Sequence, residues 1–377
     1  MDIAWAAFVG WCASIGFFAA TVALAAAQPA MARRRARPGE ARPVTVVVPL
    51  SRMDHDLAPA TASAFEADIP GIEVLVGTAT PESLAAGAVN AVAGAHPGVP
   101  FALVTAPPAG AVSPKVDNLV ACFAAARNDT VLVKDANVRL EPGQAAELLA
   151  AFHSDAGMVV AAPLIRDPEG AAGWLEHAIV GAHQTRMLMA AAALGRGYGI
   201  GKLMLFRLSD LERAGGAAAI RDTVAEDHAM GRAIQGLGRR IELAPSPAGH
   251  RLGPRRLEEV WRRQRRWAMC RRLSEPALFA VEPLAGIAPA LAAGALAAPA
   301  LGLGWPAAAV ATLAIWCAGE LALARIHGWD RSPWWPLLVL GREGLMLAVW
   351  LRTWTTGQVS WDGAPFDAVR RGGRPSG

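Results

Sequence analysis

From Ile3 to Ala27 the chain carries no charged residue, a run long enough to cross a bilayer as a helix. No other feature constrains the fold as much, because such a run has no place on the surface of a soluble domain. Arg33-Arg34-Arg35 follow it and should hold that flank in the cytoplasm, with the amino terminus outside. A cleaved signal peptide is the rival reading; the missing basic n-region and the length of the run count against it. The other end of the chain is apolar as well. Pro283–Leu303 is uncharged, Pro306–Gly319 extends through Glu320 to Ala324, and Trp334–Leu351 is interrupted by Arg342-Glu343. Charges inside a membrane are costly and are usually paired or functional. An ion pair between neighbours in a re-entrant or interfacial helix and a contact with lipid headgroups both stay open. With 53% hydrophobic residues and a mean hydropathy of +0.29, concentrated at the two ends, an ordinary soluble protein is excluded.

Between the apolar ends the pattern changes. Val44–Val48 is a β-branched run of buried-strand type, followed by strands predicted at Ile72–Gly77, Phe101–Thr105, Thr130–Val133, Met158–Ala162 and Lys202–Phe206. Ala-rich helical stretches lie around Leu57–Ala67, Pro81–Ala95 and Val116–Ala126, with a longer one over about Gly170–Leu194. This alternation predicts an α/β fold with a doubly wound, mainly parallel sheet. Ligands of such sheets sit at the carboxyl ends of the strands, which is where Asp135 falls. Gly195-Arg-Gly-Tyr198-Gly-Ile-Gly201 is either a close backbone approach to a ligand or a flexible loop. Ser209–Glu212 reads as a capping box opening a short helix that ends at Gly215-Gly216.

The net charge of +4 is modest, and no nucleic-acid partner is expected from it. Lysine is nearly absent: Lys115, Lys134 and Lys202 stand among 36 basic residues. A chain that otherwise uses arginine has a reason to keep lysine where a compact ammonium is needed, although chance survival explains three lysines equally well. Cys12, Cys122, Cys270 and Cys317 lack metal or disulfide spacing and read as reduced and structural.

Four stretches carry the chemistry. Val131–Asn137 delivers Asp135 and Asn137 to one strand tip, and hard divalent cations take such oxygen ligands, commonly sharing them with a diphosphate. An Asx turn closing the strand is the plain alternative. Thr223–Asp227 reads as a capping box through Thr223 and Glu226, and acidic residues suit a helix N-terminus in any protein. Asp227, which the box does not require, is a candidate general base. Arg263, Arg266 and Trp267 share one helix face, where two guanidiniums can grip a diphosphate and the indole can stack on a sugar or base. That helix also reads as an interfacial element, with Leu257, Val260, Trp261 and Trp267 among arginines. Lys115, in Ser113–Asn118, sits near a helix N-terminus that can meet an anion, though most such lysines are ordinary surface residues.

In this order the stretches resemble the ceramide glucosyltransferase family, membrane-bound inverting glycosyltransferases of GT-A fold. The resemblance covers roughly residues 43–272. It is carried by Pro114-Lys115-x-x-Asn118, Asp135-Ala-Asn137, Ala225-Glu226-Asp227 and Arg263-x-x-Arg266-Trp267, with Val359–Gly363 similar to a short segment after the last apolar stretch. It implies an N-terminal transmembrane anchor (1–30), a GT-A catalytic domain (43–255), an interfacial helix (256–275), C-terminal membrane helices (276–355) and a tail (356–377). It further implies Mg²⁺ or Mn²⁺ on Asp135 and Asn137, and a UDP-sugar donor held near Lys115 and Asn118. Hexose would pass to ceramide or a similar lipid, with Asp227 as base and Arg263, Arg266 and Trp267 at the diphosphate and acceptor, in a bacterial inner membrane with the catalytic domain cytoplasmic. One departure stands out: the family carries another aspartate after the second strand, where this chain has only Glu82 as a substitute. A hopanoid or diacylglycerol acceptor, a processive polysaccharide synthase and a degenerate scaffold are the other readings.

Overall fold

The structure, a computed structural model, describes residues 3–37, 42–361 and 364–367. The tail motif Val359–Gly363 therefore lies partly outside the described residues. The chain divides into two compact units. One gathers residues 28–166 with 191–253, the other 1–27, 167–190 and 254–375.

The first unit is built on the expected sheet. Its strands are β1 (Thr45–Pro49), β2 (Glu73–Thr78), β3 (Phe101–Thr105), β4 (Thr130–Lys134), β5 (Val138–Arg139), β6 (Ala156–Val160), β7 (Pro163–Ile165), β8 (Leu203–Arg207), β9 (Arg240–Leu243) and β10 (Ala248–His250). Seven of them form one sheet in the order β3-β2-β1-β4-β8-β6-β9. All its pairings are parallel except those of β8, which runs against β4 and β6. A second small sheet, β5-β10-β7, has no counterpart in the periodicity of the sequence. β1, β4 and β6 are buried throughout, as their unbroken apolar runs require.

Chain order and sheet order disagree at one place. β1 leads to β2 and β3 on one side, and the chain then returns to place β4 on the other side of β1. That reversal opens a crevice beyond the carboxyl ends of β1 and β4. The residues that follow those two strands, Asp54 and Asp135, are therefore carried to the same edge.

The second unit is mainly helical, with one antiparallel pairing of Gln358–Trp361 with Ala364–Asp367. Helices Ile3–Arg35 and Trp305–His327 are each long and apolar enough to cross a membrane, with hydropathies of 1.9 and 1.8. Pro276–Ala285 and Ala288–Leu301 form a pair bent by 50°, a third span if taken together. The bend is fixed from outside, because Glu343 Oε1 accepts from the Ala288 amide at 3.1 Å and a Cβ at Gly286 would fall 2.1 Å from the same oxygen. Residues 167–190 pack in this unit, although the alternation of strands and helices gave no reason to part them from the sheet. The run Gly170–Ala193 is helical as expected, but Ala178–Thr185 is wound as a π-helix.

Arg342 and Glu343 are not a neighbouring ion pair. Arg342 reaches Glu320 on the preceding helix, with Nη2 2.9 Å from Oε1 and Nη1 donating to Oε2 at 3.1 Å. The indoles of Trp316 and Trp335 each donate to the same carboxylate at 3.0 Å. Both charged side chains are fully buried, so partners far apart in sequence that satisfy every oxygen are worth more than a local neighbour.

Candidate active site

Asp135 leaves the end of β4 with each carboxylate oxygen held by a different ammonium. Lys115 Nζ lies 2.9 Å from Oδ1, and Lys202 Nζ lies 2.9 Å from Oδ2. Lys134, buried just before it, donates to the carbonyls of Val138 (2.7 Å) and Asp135 (3.3 Å). All three lysines of the chain thus meet at this one residue. Burial pushes the Lys134 amine down to about 7. Burial by itself would lift the Asp135 carboxyl, but the two flanking ammoniums override it and hold the group well below the usual carboxylate range.

Lys115 extends the network. It starts the helix Pro114–Ala125, and its Nζ also lies 2.8 Å from Glu226 Oε1. Thr223 and Glu226 do not form the expected capping box. Residue 225 caps the helix Glu226–Gly236, the Thr223 hydroxyl accepts from the Ala225 amide, and Glu226 is drawn away by the ammonium. A charge-assisted bond to a half-buried lysine outweighs a cap to a single amide. The box at Ser209 fails for a similar reason. Its hydroxyl donates to Asp129 Oδ2 at 2.9 Å, from inside a helix that starts at Leu208.

Asp227 stands beside Glu226 in the first turn of that helix. Gly201 donates its amide to Oδ2 at 2.7 Å, and the His228 amide donates to Oδ1 at 2.8 Å. The packing around it and the adjacent Glu226 carboxylate push the Asp227 carboxyl up to about 6, against Lys115 and those two amides. A carboxyl poised there can take a proton near neutrality. The glycine stretch exists for this approach. A Cβ at Gly199 would come within 2.0 Å of the Asp227 carbonyl oxygen, and one at Gly201 within 3.1 Å of Asp227 Oδ2. Neither a ligand approach nor a flexible loop describes this stretch: it packs against the helix that bears Asp227, where a side chain would not fit.

Asn137 joins the cluster from two sides. Its Oδ1 lies 3.4 Å from Lys202 Nζ and its amide donates to Asp54 Oδ2 at 3.3 Å. Asp135 Oδ2 and Asn137 Oδ1 therefore converge on one cation, the Lys202 ammonium, and this hard-oxygen pair fits a divalent ion. Among the described residues no group of three or more His, Cys, Asp or Glu side chains could hold a metal, so further ligands would come from phosphate oxygens and water. Asp54 and Lys202 join this network although no motif in the sequence singles them out. The scarcity of lysine was the one available signal for Lys202, and Asp54 gave none.

Two expected donor-side residues stand differently. The Asn118 amide donates to the Leu50 carbonyl at 3.1 Å, and a Cβ at Gly77 would lie 2.5 Å from the Asn118 carbonyl oxygen. Asn118 thus clamps its helix to the ends of β1 and β2. Glu82 is exposed, one residue before the N-cap Ser83, and takes no part in the lysine network.

The arginine motif lies in the other unit, on the helix Leu257–Ser274. Arg263 Nη1 pairs with the fully buried Glu176 at 3.3 Å, and its guanidinium sits 5.6 Å from the centre of the Trp267 ring. Gln264 Oε1 accepts from Gln184 at 3.0 Å. Arg266 and Trp267 are half-buried. Glu176 is a further residue the sequence did not reveal as Arg263's partner.

Residues 9–374 match the family described as Glycosyl transferase family 21. The chain belongs to glycosyl transferase family 21. Ceramide glucosyltransferase 1 of Caenorhabditis elegans is 24% identical over 243 residues, which is 64% of this chain and 52% of that protein. Ceramide glucosyltransferase 3 of the same organism is 21% identical over 243 residues, 64% of this chain and 53% of its own length. The chain spans about half the length of these curated relatives, and the resemblance drawn from the four motifs is borne out. Among solved structures, the mannosyltransferase of Pyrobaculum calidifontis in complex with GDP-Man and Mn²⁺ superposes with a TM-score of 0.54 at 20% identity, covering 90% of this chain and 99% of that one. The family 21 chain has the GT-A-type fold expected of it.

Proposed function

We propose that this chain transfers a hexose, glucose from UDP-glucose, to the hydroxyl of ceramide or a similar membrane lipid, with inversion. The observation that carries the reading is Asp227, a carboxyl lifted to about 6 beside a cluster of ammoniums at the switch point of a family 21 sheet. Asp227 takes the proton of the acceptor hydroxyl while that oxygen attacks the anomeric carbon. The bond from that carbon to the diphosphate breaks on the opposite face, and an α-linked donor gives a β-linked product. Gly201 and His228 aim the base through their amides. Lys115 occupies the neighbouring Glu226, leaving Asp227 as the acid without an ammonium hydrogen bond.

Asp135 and Asn137 would hold Mg²⁺ or Mn²⁺, which when bound supplies Lewis-acid stabilisation of the leaving diphosphate. Lys115, now held by Asp135 and Glu226, is the proposed contact on the donor side, while Asn118 acts by fixing its helix. Arg266 and Arg263, the latter steadied by Glu176, are the proposed guanidiniums on the departing diphosphate, with Trp267 shaping the acceptor side. Helix Ile3–Arg35 anchors the enzyme, and Arg33–Arg35 set the catalytic unit on the cytoplasmic side of a bacterial inner membrane.

The test is mass spectrometry of lipids after incubating the protein in detergent with UDP-glucose, Mn²⁺ and ceramide. Glucosylceramide is the expected product, and Asp227→Asn should cut its formation by roughly 10²–10⁴-fold while leaving UDP-glucose binding intact by calorimetry. Full turnover by that variant would remove Asp227 from the mechanism. A product on diacylglycerol or hopanoid and none on ceramide would move the acceptor.

A further inference from the structure

The lysines at Asp135 do different work. Lys115 is gripped by two carboxylates, Asp135 and Glu226, at 2.9 and 2.8 Å, and this bridge ties two helices to the tip of β4. Lys202 instead meets one carboxylate oxygen and one neutral amide oxygen, Asp135 Oδ2 at 2.9 Å and Asn137 Oδ1 at 3.4 Å. Those are the two oxygens that suit a hard divalent ion. Its backbone follows Gly201, whose amide is fixed on Asp227, so the flexible four-carbon stem is the part able to move.

We propose that Lys202 is a tethered cation that holds the oxygens of Asp135 and Asn137 until a divalent ion displaces it, after which its ammonium turns to the phosphates of the donor. The inference rests on the reading of Asp135 and Asn137 as the metal side of the site. A doubly charged ion outcompetes one ammonium for the same oxygens, and the released ammonium, confined by its stem, adds a positive charge where the diphosphate brings negative charge. Before substrate arrives, the same ammonium keeps Asp135 from being a half-buried carboxylate with a bare oxygen. Arginine, planar and rigidly forked, could not make this exchange as compactly, and the chain uses lysine here while using arginine almost everywhere else.

The experiment measures Mn²⁺ affinity of the full chain in detergent, by paramagnetic resonance of free Mn²⁺, for the parent protein, Lys202→Met and Lys202→Arg. Without nucleotide, Lys202→Met should bind Mn²⁺ at least ten-fold tighter than the parent, and Lys202→Arg no tighter. With UDP present the advantage of Lys202→Met should shrink or reverse, because the ammonium then contributes to phosphate binding. Its melting temperature should fall in EDTA and recover with Mn²⁺. If Lys202→Met does not fold, Lys202→Gln, which keeps a donor to Asp135 without charge, replaces it with the same expectation. Equal or weaker Mn²⁺ binding by the uncharged variants overturns the proposal, as does absence of Mn²⁺ binding by parent and variants alike. Tighter Mn²⁺ binding by Lys202→Met in a protein that makes no glycolipid would leave the exchange standing and remove the proposed transfer reaction.

Discussion

Each unit hides a cluster of charges, and the two are built to opposite ends. In the helical unit Glu320 and Arg342 are sealed, with no exposed side-chain surface on either, and two indoles complete the carboxylate. In the sheet unit Asp135 and Lys115 keep about a fifth of their side-chain surface open, 22% and 21%. Arg342 also donates to the Ala178 carbonyl and Arg186 to that of Ala182, both within the π-helical turn. The widened turn thus supplies acceptors to guanidiniums that water cannot reach. A sealed pair can fix how helices pack. A half-open one can trade partners, which is what the proposed binding of a phosphorylated donor demands.

The contrast yields a graded set of outcomes. Glu320→Ala should be the most damaging, since it strands a buried guanidinium and two indole donors. A loss of roughly 3–5 kcal/mol is expected, read as a lowered melting temperature in detergent, and replacing Glu320 and Arg342 together with leucine should recover most of it. If the single variant melts like the parent, the pair is not fixing the helices. In the open cluster the effect should fall on rate. Asp227 must be unprotonated to accept a proton, and its carboxyl is raised to about 6, so kcat/KM should climb with pH through that value and drop about ten-fold per unit below it. A profile flat from about pH 5 to about pH 7 would part Asp227 from proton transfer. Gly201→Ala comes next. Its added carbon would sit 3.1 Å from Asp227 Oδ2 and 3.2 Å from Lys115 Nζ, and should lower kcat about ten-fold with little change in melting temperature. Smallest of all, Glu82→Gln should alter UDP-glucose affinity by no more than about two-fold, because the side chain is exposed and outside the network.

The sheet was legible because β1, β4 and β6 are buried on both faces and so read as unbroken apolar runs. The candidate site was legible where a motif marks a strand tip or a helix start, as at Asp135 and Asp227, which Lys115 and its partners bring into one network. Partners were not. Glu226 looked like half of a capping box because its true counterpart, Lys115, belongs to another helix. For Arg342 the sequence left a neighbouring pair and a headgroup contact open, because its partner Glu320 sits on a different helix. The π-turn at Ala178–Thr185 leaves no mark on an alanine-rich helical pattern. Asp54 reaches Asn137 only through the order of strands in the sheet, which no local pattern states.

The gathering of the lysines has a practical consequence. An amine-directed acylating reagent finds three side-chain targets on this chain, and one, Lys134, is completely buried. The remaining two line the crevice, so covalent tagging of ε-amines becomes a footprint of that crevice alone. Peptide mapping after brief acylation, with and without UDP-glucose and Mn²⁺, would show occupancy as protection at Lys115 and Lys202 against a nearly silent background.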